Sequence, residues 1–218
     1  MVRLAPSILS ADFAALGDAV AGIEGVADLL HVDVMDGHFV PNLSIGPPVV
    51  TSLRKHTSLY LDCHLMISEP ARYLEAFRDA GADGCSVHVE VGGTAALITQ
   101  MRDLGLDVGL AVNPDTPFAD FAPFLGDLDL VLLMTVHPGF GGQKFIAGVM
   151  PKVAATRAEL DRLGLATALQ VDGGIDVDTA GVAAAAGADV LVAGSAVFGT
   201  ADPVAAGRAI KAAARLAA

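Results

Sequence analysis

Positive charge is scarce in this chain. Its 218 residues carry 13 Lys and Arg against 25 Asp and Glu, a formal net charge of −12, with no basic block anywhere. A nucleic-acid groove, which needs clustered cations to neutralise phosphates, is thereby disfavoured. Lysine is limited to Lys55, Lys144, Lys152 and Lys211, none inside an expected strand. That argues against a barrel aldolase with a strand-borne Schiff-base lysine, and against decarboxylases built on a Lys/Asp network. The two cysteines, Cys63 and Cys85, sit inside apolar runs, which suits buried inert thiols and neither a disulfide framework nor thiol catalysis. No apolar run reaches the roughly 18 residues of a spanning helix. The N-terminus has neither a secretory nor a transit character, so a cytoplasmic protein without a membrane partner is expected. "PSILSADF" (6–13) holds no glycine where a dinucleotide-binding sheet would place its Gly-rich turn.

What is present is alternation. Short apolar runs at 3–8, 29–34, 59–66, 84–89, 108–112, 130–135, 168–171 and 190–193 read as strands buried on both faces. Ala-rich amphipathic segments such as 13–23, 71–80, 94–104, 147–163, 177–186 and 203–216 read as helices between them. Ser10 to Asp12 and Asp176 to Asp178 offer N-caps, and Gly81, Gly105, Gly164 and Gly187 offer stops. Eight strand–helix units without a linker indicate one (β/α)8 barrel spanning 1–218, with an open doubly wound sheet as the alternative.

In a barrel, polar residues at the C-terminal ends of strands carry the chemistry. "HVDVMDGHFVPN" (31–42) places His31 and Asp33 on one face of an apolar strand. Either buried without a partner costs about 1–3 kcal/mol or more. His64 ends the third strand and Asp172 the seventh, so two imidazoles and two carboxylates from three strands can converge as ligands for Zn²⁺ or another first-row divalent ion. Each histidine taken singly also reads as a hydrogen-bonded structural residue; His88 and His137 are left as structural or supporting. Asp36 and His38 belong to the following turn.

Glycines form a second group: "HPGFGGQ" (137–143), "DGGI" (172–175) and "AGSAVFG" (193–199) follow strands 6, 7 and 8. Loops after strands 7 and 8 commonly hold a phosphate, because glycine lets backbone N–H groups approach an anion even in an acidic protein. Met35, Met66 and Met134 end strands 2, 3 and 6, either as core filler or as an apolar wall around the polar cluster.

With "PSILSADF", "HVDVMDGHFVPN", "DCHLMI", "HPGFGGQKF", "VDGGI" and "GSAVF" in order, the chain from Ala5 to Phe198 closely resembles the ribulose-phosphate 3-epimerase family. The resemblance implies a (β/α)8 barrel of the ribulose-phosphate-binding type, interconverting D-ribulose 5-phosphate and D-xylulose 5-phosphate in the pentose phosphate pathway. It implies one divalent metal ion per subunit on His31, Asp33, His64 and Asp172; Zn²⁺ is favoured, with Fe²⁺, Mn²⁺ and Co²⁺ as alternatives. Asp33 and Asp172 would be the acid/base pair. Ser7 and His64 match substrate contacts, and Gly139, Gly141, Gly142, Gly173, Gly174, Gly194 and Ser195 lie in the phosphate-side loops. Met35, Met66 and Met134 match site-lining positions. A sugar phosphate as partner and a homodimer or hexamer are implied as well. Cys63 stands where valine is usual, and His137 where asparagine is frequent, which leaves a change in the loop over the substrate open. Two rivals remain: an allulose-6-phosphate 3-epimerase, and a non-catalytic phospho-ligand-binding barrel.

Overall fold

The computed structural model describes residues 2–217. Eight parallel strands form one sheet: β1 (Arg3–Pro6), β2 (Leu30–Met35), β3 (Leu61–Met66), β4 (Gly84–His88), β5 (Asp107–Val112), β6 (Leu130–Met134), β7 (Ala168–Asp172) and β8 (Val190–Ala193). Their hydrogen-bonded order is β1-β8-β7-β6-β5-β4-β3-β2, and a parallel bridge between Ser7 and His31 brings the two ends together. The result is a nearly closed (β/α)8 barrel. Among the described residues no helix is long and apolar enough to cross a membrane.

Strand alternation sorts the side chains. Outward residues such as Val32, Cys63, Leu110, Leu133 and Val171 join the large core between strands and helices. Inward residues of β5, β6 and β8 are apolar, with Ala111, Leu132, Met134 and Val192 all buried. Inward residues of β2, β3, β4 and β7 are polar and just as buried: His31, Asp33, Asp62, His64, Ser86, His88 and Gln170. Half of the barrel interior is therefore a polar network, which must satisfy itself or bind something.

The helices are α1 (Leu16–Ala21), α2 (Pro47–Arg54), α3 (Leu74–Ala80), α4 (Thr94–Asp103), α5 (Met150–Leu163), α6 (Ala180–Ala185), α7 (Ser195–Phe198) and α8 (Pro203–Ala217). The four expected stops all adopt left-handed backbone, Gly81 at φ 97° and Gly164 at φ 66° among them. Proline shapes two of the connections. Pro47 and Pro48 open α2, where the first turn has no N–H bond to lose. After β5 the reverse holds: Pro117 and Pro123 leave only two 3₁₀ segments, Phe118–Asp120 and Ala122–Asp127, so one of the seven crossovers lacks an α-helix, against the eight strand–helix units expected.

A repeated clamp holds the opposite end of the barrel from the site. Asp28, Asp83, Asp129 and Asp189 each precede an even-numbered strand. Their Oδ2 atoms accept the N–H of Leu4, Leu61, Val108 and Leu169 at 2.7, 2.7, 2.8 and 2.9 Å. The backbone N–H of each aspartate returns to the carbonyl of the same residue. Lys211, Arg54 and Arg157 reach down from α8, α2 and α5 to three of these carboxylates, at 2.6, 2.9 and 3.1 Å. Each clamp fixes the register of one strand pair, and register decides which residues share a level at the other end.

Candidate active site

Neighbouring strands β2 and β3 carry mirror-image patterns, His-x-Asp and Asp-x-His. Their register sets His31 beside Asp62 and Asp33 beside His64. All four side chains point into the barrel, and β7 contributes Asp172 from its last residue. His31 Nε2 lies 3.3 Å from Asp33 Oδ1, 3.3 Å from His64 Nδ1 and 3.8 Å from Asp172 Oδ2. His64 Nδ1 lies 3.2 Å from Asp33 Oδ1 and 3.9 Å from Asp172 Oδ2. The four donor atoms all fall within 4.8 Å of one another. A tetrahedral ion with ligand bonds of about 2.0–2.2 Å separates its ligands by about 3.3–3.6 Å. The observed spacings bracket that edge, so the residues fit a small divalent cation with little movement.

The electrostatics point the same way. Burial opposes charge on His31, but Asp33 and Asp62 outweigh it and hold the imidazole well above its usual pKa. Burial would also raise Asp33, yet the charge of His31 and its hydrogen bond hold that carboxyl far below the usual range. Asp172 behaves oppositely: burial pushes it up to about 7, Asp33 adds to the push, and His31 opposes it. The cluster therefore calls for positive charge at its centre, which a protonated His31 supplies and a divalent ion would supply better.

The surroundings orient each donor. Asp62 Oδ2 takes His31 Nδ1 at 2.8 Å and Gln170 Nε2 at 2.8 Å, leaving His31 Nε2 free to face the centre. Ser7 Oγ donates to Asp33 Oδ2 at 2.5 Å. His64 Nε2 meets His88 Nε2 at 2.9 Å, and His88 Nδ1 meets Glu90 Oε2 at 2.9 Å. Ser44 pins the end of β2, donating to the Asp33 carbonyl at 2.7 Å and accepting the Met35 N–H at 2.9 Å.

Above the cluster opens a cavity of about 70 Å³, continuous with solvent and lined by Ser7, Asp33 and Asp172. Gly139, Gly141, Gly142, Gly173, Gly174, Gly194 and Ser195 also line it, as do Met35, Met66 and Met134. The methionines serve both readings. They are buried packing residues, Met35 and Met66 against Val40 and Met134 against Leu132, and they also form apolar wall. The "DGGI" glycines have a steric reason of their own. A Cβ on Gly174 would collide with the Phe145 backbone nitrogen, and one on Gly173 with the Val136 side chain. The absent side chains let the loops after β6 and β7 touch. Gly194 precedes α7, whose first N–H groups have no partner within the helix.

Asp36 makes the expected turn, accepting the N–H of His38 and Phe39, and also ties to Ser68 in the loop after β3. His137 is turned outward, 3.8 Å from Asp115, so the departure at this position lies outside the cavity. Asp62, Gln170 and Glu90 belong to the site without having been expected there. Asp62 had a signal: "DCH" mirrors "HVD" on the neighbouring strand. Gln170 and Glu90 had none.

Fold and cluster together define a class, a (β/α)8 barrel with a buried His/Asp cluster at its mouth. Comparison with known proteins narrows the class: the chain belongs to the ribulose-phosphate 3-epimerase family, whose sequence pattern matches residues 3–198. It is 52% identical over 190 residues to the ribulose-phosphate 3-epimerase of Bacillus subtilis (strain 168), covering 86% of this chain and 88% of that protein. It is 47% identical over 185 residues to the enzyme of that name from Mycobacterium tuberculosis (strain ATCC 25618 / H37Rv), covering 84% and 80%. The chain is accordingly an enzyme, a carbohydrate epimerase, and the reading as a non-catalytic barrel falls away. More distant structures share the fold alone. One is KGPDC from Streptococcus mutans, with TM-score 0.77 and 14% identity over 99% of this chain and 98% of that one. Another is a 3-hexulose-6-phosphate synthase, with TM-score 0.73 and 19% identity over 97% and 99%.

Proposed function

We propose that the enzyme interconverts D-ribulose 5-phosphate and D-xylulose 5-phosphate at C3, with Asp33 and Asp172 as the two acid/bases and one divalent ion held by His31, Asp33, His64 and Asp172. The observation that carries this reading is the pair of carboxylates, from two different strands, on one cavity. In the metal-free site His31 holds Asp33 well below the usual range, while burial pushes Asp172 up to about 7. Inverting a carbon next to a ketone needs a base on one face and an acid on the other, and two carboxyls with separated pKa values supply both. In one direction Asp33 takes the C3 proton and Asp172 returns one to the opposite face; in the other direction the roles exchange. Ser7, bonded to Asp33 Oδ2, fixes the angle of that carboxylate. A divalent ion bound to the four donors would supply Lewis-acid stabilisation of the charge that develops on the substrate oxygens. The glycine loops after β6, β7 and β8 present backbone N–H groups to the substrate phosphate, and the methionine wall excludes water.

Zinc is the ion this donor set favours, with Fe²⁺, Mn²⁺ and Co²⁺ accepted by the same chemistry. The proposal extends to the pentose phosphate pathway as setting, the cytoplasm as location, a homodimer or hexamer as assembly, and neither nucleic acid nor membrane as partner. Incubation with ribulose 5-phosphate in deuterated water should exchange the C3 hydrogen. Retention of that hydrogen would overturn the mechanism. Comparing kcat/KM for five- and six-carbon ketose phosphates tests the substrate, and a clear preference for the longer sugar would favour the allulose-6-phosphate reading. Elemental analysis of protein purified without added metal identifies the ion.

A further inference from the structure

His64 can bind a metal through Nδ1 only if its proton sits on Nε2, and that atom is buried against another histidine. The pair His64 Nε2 and His88 Nε2, 2.9 Å apart, needs one donor and one acceptor. What decides the direction lies further out. Glu90 is surrounded by donors: its Oε1 accepts the Asn113 N–H at 2.8 Å and the Thr116 hydroxyl at 2.5 Å, and its Oε2 faces His88 Nδ1 at 2.9 Å. The loop that supplies two of these donors is itself fixed. Lys152 on α5 donates to the carbonyls of Asn113, Pro114 and Thr116, each at 2.8 Å.

We propose that Glu90 is a positioning residue for the metal, acting through His88 to hold His64 in the tautomer whose Nδ1 is free to ligate, with Lys152 fixing the loop that holds Glu90. A carboxylate accepts and cannot donate, so His88 keeps its proton on Nδ1 and presents a bare Nε2. His64 then donates from Nε2, and its Nδ1 faces Asp33 and Asp172 without a proton. The chain of bonds crosses from α5 over the β5 and β4 loops to β3, so the orientation of one ligand is set by a residue that touches neither metal nor cavity. Partners of this kind raise ligand basicity and lock ring orientation.

The inference rests on the metal-site reading above, and Glu90→Gln tests it. With its NH₂ toward His88, the amide reverses the chain and puts a proton on His64 Nδ1. The opposite rotamer, with its oxygen toward His88, sets the NH₂ against the Asn113 N–H donor and is disfavoured. The zinc dissociation constant of the full-length protein, measured by chelator competition, should therefore rise about 10–100-fold. The ¹⁵N shifts of His64 in the metal-free variant should lose the pattern of a protonated Nε2 seen in the metal-free wild type, which a merely structural role for Glu90 would not change. Thr116→Val removes one bond onto Glu90 without touching His88 and should weaken zinc by about two- to tenfold. Zinc binding within twofold of wild type in both variants, or an unchanged His64 tautomer in Glu90→Gln, would overturn the proposal. If Glu90→Gln does not fold, unchanged zinc affinity in Thr116→Val overturns it. A wild-type protein that binds none of Zn²⁺, Co²⁺, Mn²⁺ and Fe²⁺ would fail the metal-site reading itself.

Discussion

Replacing Asp172 by asparagine should separate stability from turnover. The Asp172 side chain is only 16% exposed, and burial, followed by Asp33, pushes its carboxyl up to about 7. In an unfolded chain the same group titrates near ~3.9. Between about pH 4 and pH 7 the unfolded chain thus binds fewer protons here than the folded one, so folding stability falls as pH rises through that window. The penalty is absent below about pH 4 and complete above about pH 7. About three pKa units at about 1.36 kcal/mol each set a ceiling of about 4 kcal/mol. Asparagine keeps the shape and carries no charge to bury, so the metal-free variant should melt above the metal-free wild type at pH 8. For a domain of this length each kcal/mol moves Tm by roughly 2–4 °C, so the gap at pH 8 should reach at most roughly 8–16 °C and shrink towards pH 5. Activity should move the other way. With zinc saturating, turnover should still fall about 10²–10⁴-fold, the usual cost of losing a general acid/base. Thermal melts of chelator-treated proteins across this pH range, with steady-state rates at saturating metal, make the check. A Tm gap equal at pH 5 and pH 8 would refute the electrostatic reasoning, and near-normal turnover at saturating metal would refute the two-aspartate mechanism.

Asp33→Asn should be as inactive as Asp172→Asn, because each direction needs both faces; isotope exchange at C3 from one substrate but not the other would show which face the remaining aspartate serves. Gly174→Ala drives a methyl into the Phe145 backbone at a positive φ, so the loops after β6 and β7 must part. We expect a stability loss of about 1–3 kcal/mol in denaturant melts and a raised KM for the phosphorylated substrate; an unchanged KM would separate these loops from phosphate binding. Asp129→Ala breaks one clamp at the far end of the barrel, leaving the Val108 N–H without its 2.8 Å partner. Stability should drop by about 1–3 kcal/mol while kcat stays within twofold, and a large fall in kcat would mean that register at the clamps reaches the active site.

The architecture was legible because parallel strands buried on both faces must be apolar throughout, so eight such runs separated by helical segments leave few other folds. The same rule exposed the site: on strands with no reason to be polar, His31, Asp33, His64 and Asp172 stood out, and the barrel places strand ends together. What went unread was proline: Pro47 and Pro48 open α2, and Pro117 and Pro123 leave the connection after β5 without an α-helix. What only the tertiary structure decided is who satisfies whom. His31 is paired through Nδ1 to Asp62, 31 residues away, and both meet Gln170, 139 residues from His31. Glu90 governs a histidine on another strand through the one beside it. A buried polar group costs free energy until its partner arrives. That partner is set by strand register and barrel closure, which bring distant residues within hydrogen-bonding reach and leave no periodic trace in the chain.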